Sequence, residues 1–242
     1  MSIHVGTSGW SYEHWQGLLY PAGTPARERL GYYAARFRTV EVNSTYYRWP
    51  KEATFASWRR RTPEEFLLTV KAPGLLTHVS RLFKPERWVE RVCRGLRQLR
   101  DKRGVLLVQL PPTLGYDHPR LEYFLGRVPV GLRVAVEFRH PSWHREEVFA
   151  LLERHGAAYC VTSGARLPCV LRATAPFVYA RLHGPDHEHL YAGSYADGDL
   201  RWWADRAREW ESSGREVFIY FNNDGGGHAV RNAERLRHLL GR

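Results

Sequence analysis

Along 133–138 the apolar residues Val134, Val136 and Phe138 alternate with Arg133, Ala135 and Glu137. A period of two is the period of a β-strand. The segment runs through HPSW into a stretch of helical spacing. Strand, short turn and helix make the repeating unit of a parallel α/β sheet. The pattern recurs along the chain, predicting strands at 3–8, 38–43, 66–71, 105–110, 133–138, 157–162, 177–183 and 217–222. Helical spacing predicts helices at 26–37, 53–61, 85–101, 118–126, 146–155, 199–212 and 228–240. In the helix at 85–101 the apolar stripe is Trp88, Val92, Leu96 and Leu99, one face at a 3.6-residue period. Asp197 or Asp199 is placed to cap the helix near 199, as short acidic side chains do. Between 163 and 176, Pro168 and Pro176 interrupt any helix, so the connection from the sixth strand to the seventh is irregular.

Eight such units in 242 residues predict an α/β fold, a single TIM-type (β/α)8 barrel occupying 1–242 as one domain; such barrels take about 250 residues. The first strand-to-helix turn has no GxGxxG, which speaks against an open dinucleotide-binding sheet.

Strand parity then sorts the side chains. With Glu137 inward, the residues of the same parity at the strand ends are Ser8, Glu41, Asn43, Lys71, Gln109, Arg139, Thr162, Arg181, His183 and Asn222. The opposite parity is apolar, as at Val40, Val42, Val70, Val108, Val136, Leu182 and Phe221. In a parallel barrel these ends share one rim, where barrel active sites lie. Charges there are costly unless paired or used. Two readings follow: a ligand or catalytic site, or a satisfied layer in which Glu41, Glu137, Lys71, Arg139 and Arg181 pair among themselves.

Charge adds a second constraint. The formal net charge is +11, and all the basic residues except Lys51, Lys71, Lys84 and Lys102 are Arg. A basic surface favours polyanions such as nucleic acid or phosphorylated metabolites; an Arg-rich composition also arises from genome composition or a hot habitat. Cys93, Cys160 and Cys169 have no metal-binding spacing and fit reduced thiols of a cytoplasmic protein. No signal peptide and no apolar run long enough to span a bilayer is evident, so no membrane partner is expected.

Seven segments carry a family resemblance: GTSGWSYEHWQG (6–17), EVNSTYYRWP (41–50), VKAPGLLTH (70–78), LLVQLPP (106–112), VAVEFRHPSW (134–143), YARLHG (179–184) and YFNNDGGGHAVRNA (220–233). In these the chain resembles the YecE-like family, domain of unknown function 72. The resemblance implies a TIM-type barrel and supplies no activity. It also leads one to expect an Asp near Thr162–Ser163, where this strand reads CVTS.

The chemistry expected of the rim is hydrolysis of a phosphate-containing substrate, either a small molecule or a nucleic acid phosphodiester. Glu137 or Glu41 would be the general base, and His183 an acid, base or metal ligand. Lys71, Arg139 and Arg181 would neutralise phosphate oxygens. Asn43, Gln109, Asn222 and Asn223 would add polar contacts, and the turn at 225–227 backbone N–H groups. Trp10, Tyr46 and their loop neighbours Trp15, Tyr47 and Trp143 could stack on a base or sugar, although packing of long loops is the favoured reading for most of them. The cofactor is undefined; a divalent metal held by Glu41, Glu137 and His183, with His78 in reserve, is one option. HGPDHEHLY (183–191), with His187 and His189, reads as a lid or a metal cluster. Two alternatives stay open. One is metal-free carbohydrate chemistry by the pair Glu41 and Glu137, with Schiff-base chemistry at Lys71 as a variant. The other is binding of a phosphorylated ligand or nucleic acid without turnover.

Overall fold

The structure, a computed structural model, describes residues 3–186 and 188–241. The strands are β1 (Ile3–Thr7), β2 (Thr39–Val42), β3 (Leu67–Lys71), β4 (Arg103–Gln109), β5 (Val134–Glu137), β6 (Ala158–Ser163), β7 (Phe177–Leu182) and β8 (Glu216–Phe221). The helices are α1 (Ala26–Arg36), the single turn α2 (Ser44–Tyr47), α3 (Glu52–Arg60), α4 (Glu86–Arg97), α5 (His118–Arg127), α6 (Glu146–Arg154), α7 (Asp197–Ser212) and α8 (His228–Leu239). The sheet is parallel, in the order β1-β8-β7-β6-β5-β4-β3-β2, and a parallel bridge from Ser8 to Glu41 joins its ends. This is a TIM-type (β/α)8 barrel. As the prolines predict, no helix lies between β6 and β7.

The chain divides into two compact units. The first comprises Met1–Glu41, Val161–Leu171 and Pro176–Arg242. Its β1 is locked by the buried Tyr33 hydroxyl, which accepts from Thr7 N at 2.9 Å and donates to Thr39 O at 3.0 Å. A Cβ at Gly6 would lie 2.4 Å from Thr39 O, so only glycine permits this approach. Trp15 is wholly buried and donates to Asp224 Oδ1 at 2.7 Å. The α7 N-cap is Ala196 rather than either aspartate: Asp197 is the first helical residue, and Asp199 Oδ2 reaches back to accept from Ala196 N at 3.1 Å.

The second unit comprises Val42–Cys160 and Arg172–Ala175. In it β4 pairs in register with β5, placing Gln109 beside Glu137. The buried Lys102 closes α3 by donating to Arg59 O at 2.8 Å and Thr62 O at 2.6 Å, a cation at the negative end of a helix. The buried stripe of α4 is Val89, Val92 and Leu96; Trp88 is half-exposed, under the Arg91 guanidinium. No helix among the described residues is long and apolar enough to cross a membrane.

Candidate functional site

In the second unit, the ends of β3, β4 and β5 bring together Lys71, Gln109, Glu137 and Arg139. Glu137 is completely buried, and Arg139 Nε donates to its Oε1. The Cys160 thiol lies 4.0 Å from the other carboxylate oxygen. Lys71 extends over the Tyr46 ring, with Nζ 4.7 Å from the centroid, a cation–π contact. Tyr46 is carried by α2, which Thr45 ties to the strand end by donating to Lys71 O at 2.7 Å. Gly74 backs the ring, since a Cβ there would stand 3.0 Å from it.

His78 completes the group. Its ring meets Tyr46 edge-on at 5.0 Å. Burial pushes its pKa below the ordinary 6.5, Lys71 and Arg139 push it further down, and Glu137 opposes them. Thr77 Oγ1 donates to Pro73 O at 3.3 Å and lies 2.9 Å from His78 Nδ1. Nδ1 is thereby engaged by Thr77; in the tautomer in which Thr77 accepts from Nδ1–H, Nε2 is the basic nitrogen. Asn43 Oδ1 and Gln109 Oε1 are buried in this unit without a hydrogen-bond partner; such acceptors are costly unless something donates to them.

The first unit holds a different arrangement. Arg181 and Glu41 are both fully buried. Glu41 Oε1 accepts from Arg181 Nη2 at 2.6 Å and from Ser8 Oγ at 2.6 Å; Oε2 accepts from Arg181 Nε at 2.9 Å and from the Tyr179 hydroxyl at 2.5 Å. Burial pushes the Glu41 pKa up, but the Arg181 charge and these hydrogen bonds prevail and hold it below the ordinary value. A carboxylate so engaged is a poor base, which weighs against Glu41 in that role. Its partner Arg181 is likewise committed to the core rather than to a phosphate.

His183 is fully buried, with Asn222 Nδ2 3.1 Å from its Nδ1 and the Tyr191 ring edge-on at 5.4 Å. Asn223 uses both amide protons to clamp loops, on Gly193 O and Asn232 Oδ1, each at 2.9 Å, and its buried Oδ1 has no hydrogen-bond partner. The glycine turn 225–227 follows Asp224, whose carboxylate is tied to Trp15 and His14. Burial raises the pKa of Asp224 against those hydrogen bonds. A resident carboxylate makes this turn unfavourable for phosphate. Trp15 and Trp143 are core residues, Trp143 donating to Leu114 O at 2.7 Å, whereas Trp10 and Tyr46 are half-exposed and Tyr47 is 85% exposed.

Among the described residues no three His, Cys, Asp or Glu side chains are grouped to hold an ion; in each unit the carboxylate expected to bind metal, Glu41 or Glu137, is turned onto an arginine. In the 183–191 loop, Asp186 Oδ1 accepts from the N–H groups of Glu188 and His189; His187 lies outside the described residues. His78 lies beyond the end of β3, where strand parity does not reach, and so has only a reserve role in the sequence; Tyr179 shares the parity of Arg181, the signal by which the sequence marks it.

A family model described as Protein of unknown function DUF72 matches residues 4–242. This chain belongs to the DUF72 family. The UPF0759 protein YunF of Bacillus subtilis (strain 168) is 26% identical over 98% of this chain and 94% of its own length. The UPF0759 protein YecE of Escherichia coli (strain K12) is 31% identical over 58% of this chain, spanning half of that relative. Among solved structures, a DUF72 family protein of Thermotoga maritima MSB8 covers all of both chains with a TM-score of 0.89 and 32% identity. Another from Enterococcus faecalis V583 covers 99% of this chain and 96% of its own, with a TM-score of 0.81 and 20% identity. Where the family resemblance leads one to expect an acid at the end of β6, this DUF72 chain has Thr162, donating to Pro168 O at 3.2 Å, and Ser163, whose Oγ accepts from Tyr195 at 3.0 Å. Both hydroxyls hold the following loop.

Proposed function

We propose that this DUF72 protein is a hydrolase of phosphate-containing substrates, acting at the ends of β3–β5. One arrangement carries the reading: Lys71 and the His78 ring both pack on Tyr46, at 4.7 Å and 5.0 Å, and burial, Lys71 and Arg139 lower the His78 pKa. Cations attract the phosphate oxygens, and Arg does so as a fork. A neutral imidazole beside them can accept a proton, as a general base must. In the proposed step water attacks phosphorus, His78 Nε2 takes its proton, the ester P–O bond breaks, and the leaving oxygen is protonated from solvent. Glu137 serves as a positioning residue that holds Arg139, and Asn43 and Gln109 offer acceptors to substrate hydroxyl or amino groups. Nucleic acid is the proposed macromolecular form of the substrate, supported by the net charge of +11 and by exposed Tyr47 and Phe83.

The test is hydrolysis of bis(p-nitrophenyl) phosphate and p-nitrophenyl phosphate by the full-length protein, with and without added divalent metal. Turnover that falls roughly 100-fold or more in His78→Ala is the expected result. Equal turnover in that variant, or none with either ester, overturns the reading. Saturable phosphate binding without turnover would favour a binding protein. The paired-glutamate alternative loses support, because Glu41 and Glu137 are each committed to an arginine.

A further inference from the structure

A second cleft, of about 560 Å³, opens in the first unit between the loop after β6, the start of the loop after β7 and the first turns of α7. Its volume falls in the range of small-molecule sites. The walls are apolar, formed by Leu167, Leu171, Trp202 and Trp203. The Trp202 and Trp203 rings meet edge-to-face at 5.0 Å, and Trp202 is 42% exposed. The polar edge consists of Ser163, Tyr195 and Asp199, and among the described residues Asp199 is the one charged residue lining the cleft.

These walls are held in place. The Tyr195 hydroxyl donates to Ser163 Oγ and accepts from Gly184 N, both at 3.0 Å, and His183 N donates to Ser163 O at 2.7 Å. A Cβ at Gly164 would stand 2.8 Å from His183 Cβ. The Asp199 carboxylate is oriented by its bond from Ala196 N. A fixed cleft lined by an exposed indole and, three residues before it on the same helix face, a carboxylate suits a flat ring that carries N–H donors at its edge. An organic cation fits less well, because the Arg206 guanidinium already lies 5.6 Å from the Trp202 ring centre and would repel it.

We infer that this cleft binds a planar heteroaromatic ligand through stacking on Trp202 and N–H donation to Asp199, with guanine as the best-matched base. Guanine presents N1–H and its 2-amino group side by side, which is the spacing of two carboxylate oxygens. Base stacking on an aromatic side chain adds sequence-tolerant affinity, and the bidentate pair adds selectivity. This site is separate from the proposed hydrolytic one and stands or falls without it.

The test is calorimetric titration of the full-length protein with guanosine. Saturable binding is expected, weakened about 10-fold or more in Asp199→Asn and more strongly reduced in Trp202→Ala. Inosine, which lacks the 2-amino group, should bind more weakly, and tetramethylammonium, which has no N–H, should not compete. Absence of saturation with guanosine, wild-type affinity in Asp199→Asn, or competition by tetramethylammonium overturns the assignment. Both altered side chains are at the surface, and thermal melting checks their folding; if Trp202→Ala proves unstable, Asp199→Asn decides. Ester hydrolysis is read separately, so failure here is distinguishable from failure of the hydrolase reading.

Discussion

Arg181 grips Glu41 through both Nε and Nη2, across 140 positions of sequence and entirely out of contact with solvent. The fork of one side chain meets the two oxygens of the other, and Ser8 and Tyr179 satisfy what remains. Such a pair need not add net stability over an apolar substitute, but breaking it strands a buried charge, at a cost of about 3–5 kcal/mol. Arg181→Met should therefore lower stability by that amount in urea unfolding at pH 7. The folded pKa of Glu41 lies below its ordinary 4.5. Its contribution is thus present above the unfolded pKa and is lost as pH falls through the folded pKa. The stability gap between the wild type and Glu41→Gln should narrow on acidification below about pH 4.5. A gap that stays constant to pH 3 would refute this account of the pair.

The electrostatics around His78 give opposite signs for two neighbours. Lys71 depresses the His78 pKa and Glu137 raises it. Lys71→Met should move the NMR titration of His78 upward, and Glu137→Gln should move it downward. If His78 is the base, the acidic limb of the pH–rate profile follows the same shifts. Identical titrations in the two variants would show that neither charge reaches the imidazole.

Glu137 and Arg139 also allow a double-mutant cycle. Arg139→Met leaves a fully buried carboxylate without the guanidinium that now donates to it, whereas Glu137→Gln/Arg139→Met removes the stranded charge. The double variant should be more stable than Arg139→Met alone, because a buried carboxylate that has lost its guanidinium donor costs more than a neutral amide. In activity, Glu137→Gln should raise KM more than it lowers kcat, as expected of a residue that positions a substrate-binding arginine. A pure loss of kcat with KM unchanged would return Glu137 to the role of base.

The strands and their inward parity were legible because alternation is a local signal. The predicted strand at 133–138 corresponds to Val134–Glu137, and the predicted strand at 177–183 to Phe177–Leu182. Glu41, Glu137, Arg181 and His183 are buried, as inward parity requires. What each inward side chain does was not legible, since partners depend on contacts far apart in the chain. The sequence offers Glu41 both as a base and as a paired acid and does not choose, because Arg181 is 140 residues away. Loop packing is the favoured sequence reading for most of the rim aromatics, and Trp15 and Trp143 follow it; which acceptor each buried indole N–H finds, Asp224 or the Leu114 carbonyl, is set only by folding. His78 was undervalued because the π-helical turn Leu75–Val79 that carries it has no strand or α-helix signature.

Gly184 follows β7 with φ +108°, and a Cβ there would fall 2.1 Å from the Ala192 carbonyl oxygen. The backbone conformation and the absent side chain are both required, since the obstructing atom belongs to main chain and cannot swing away. The same glycine donates its N–H to Tyr195 at 3.0 Å, and Tyr191 N donates to His183 O at 2.6 Å, so the residue lies where the loop folds back on the strand end. Gly184→Ala should cost about 1–3 kcal/mol from the backbone conformation alone, and more from the clash. The loop should yield first: limited proteolysis is expected to cut near 185–192 in the variant under conditions that leave the wild type intact, with the thermal midpoint lowered. A variant that melts and resists protease like the wild type would mean that the loop relaxes freely, and that its contacts with His183 and Tyr195 do not hold the wall of the second cleft.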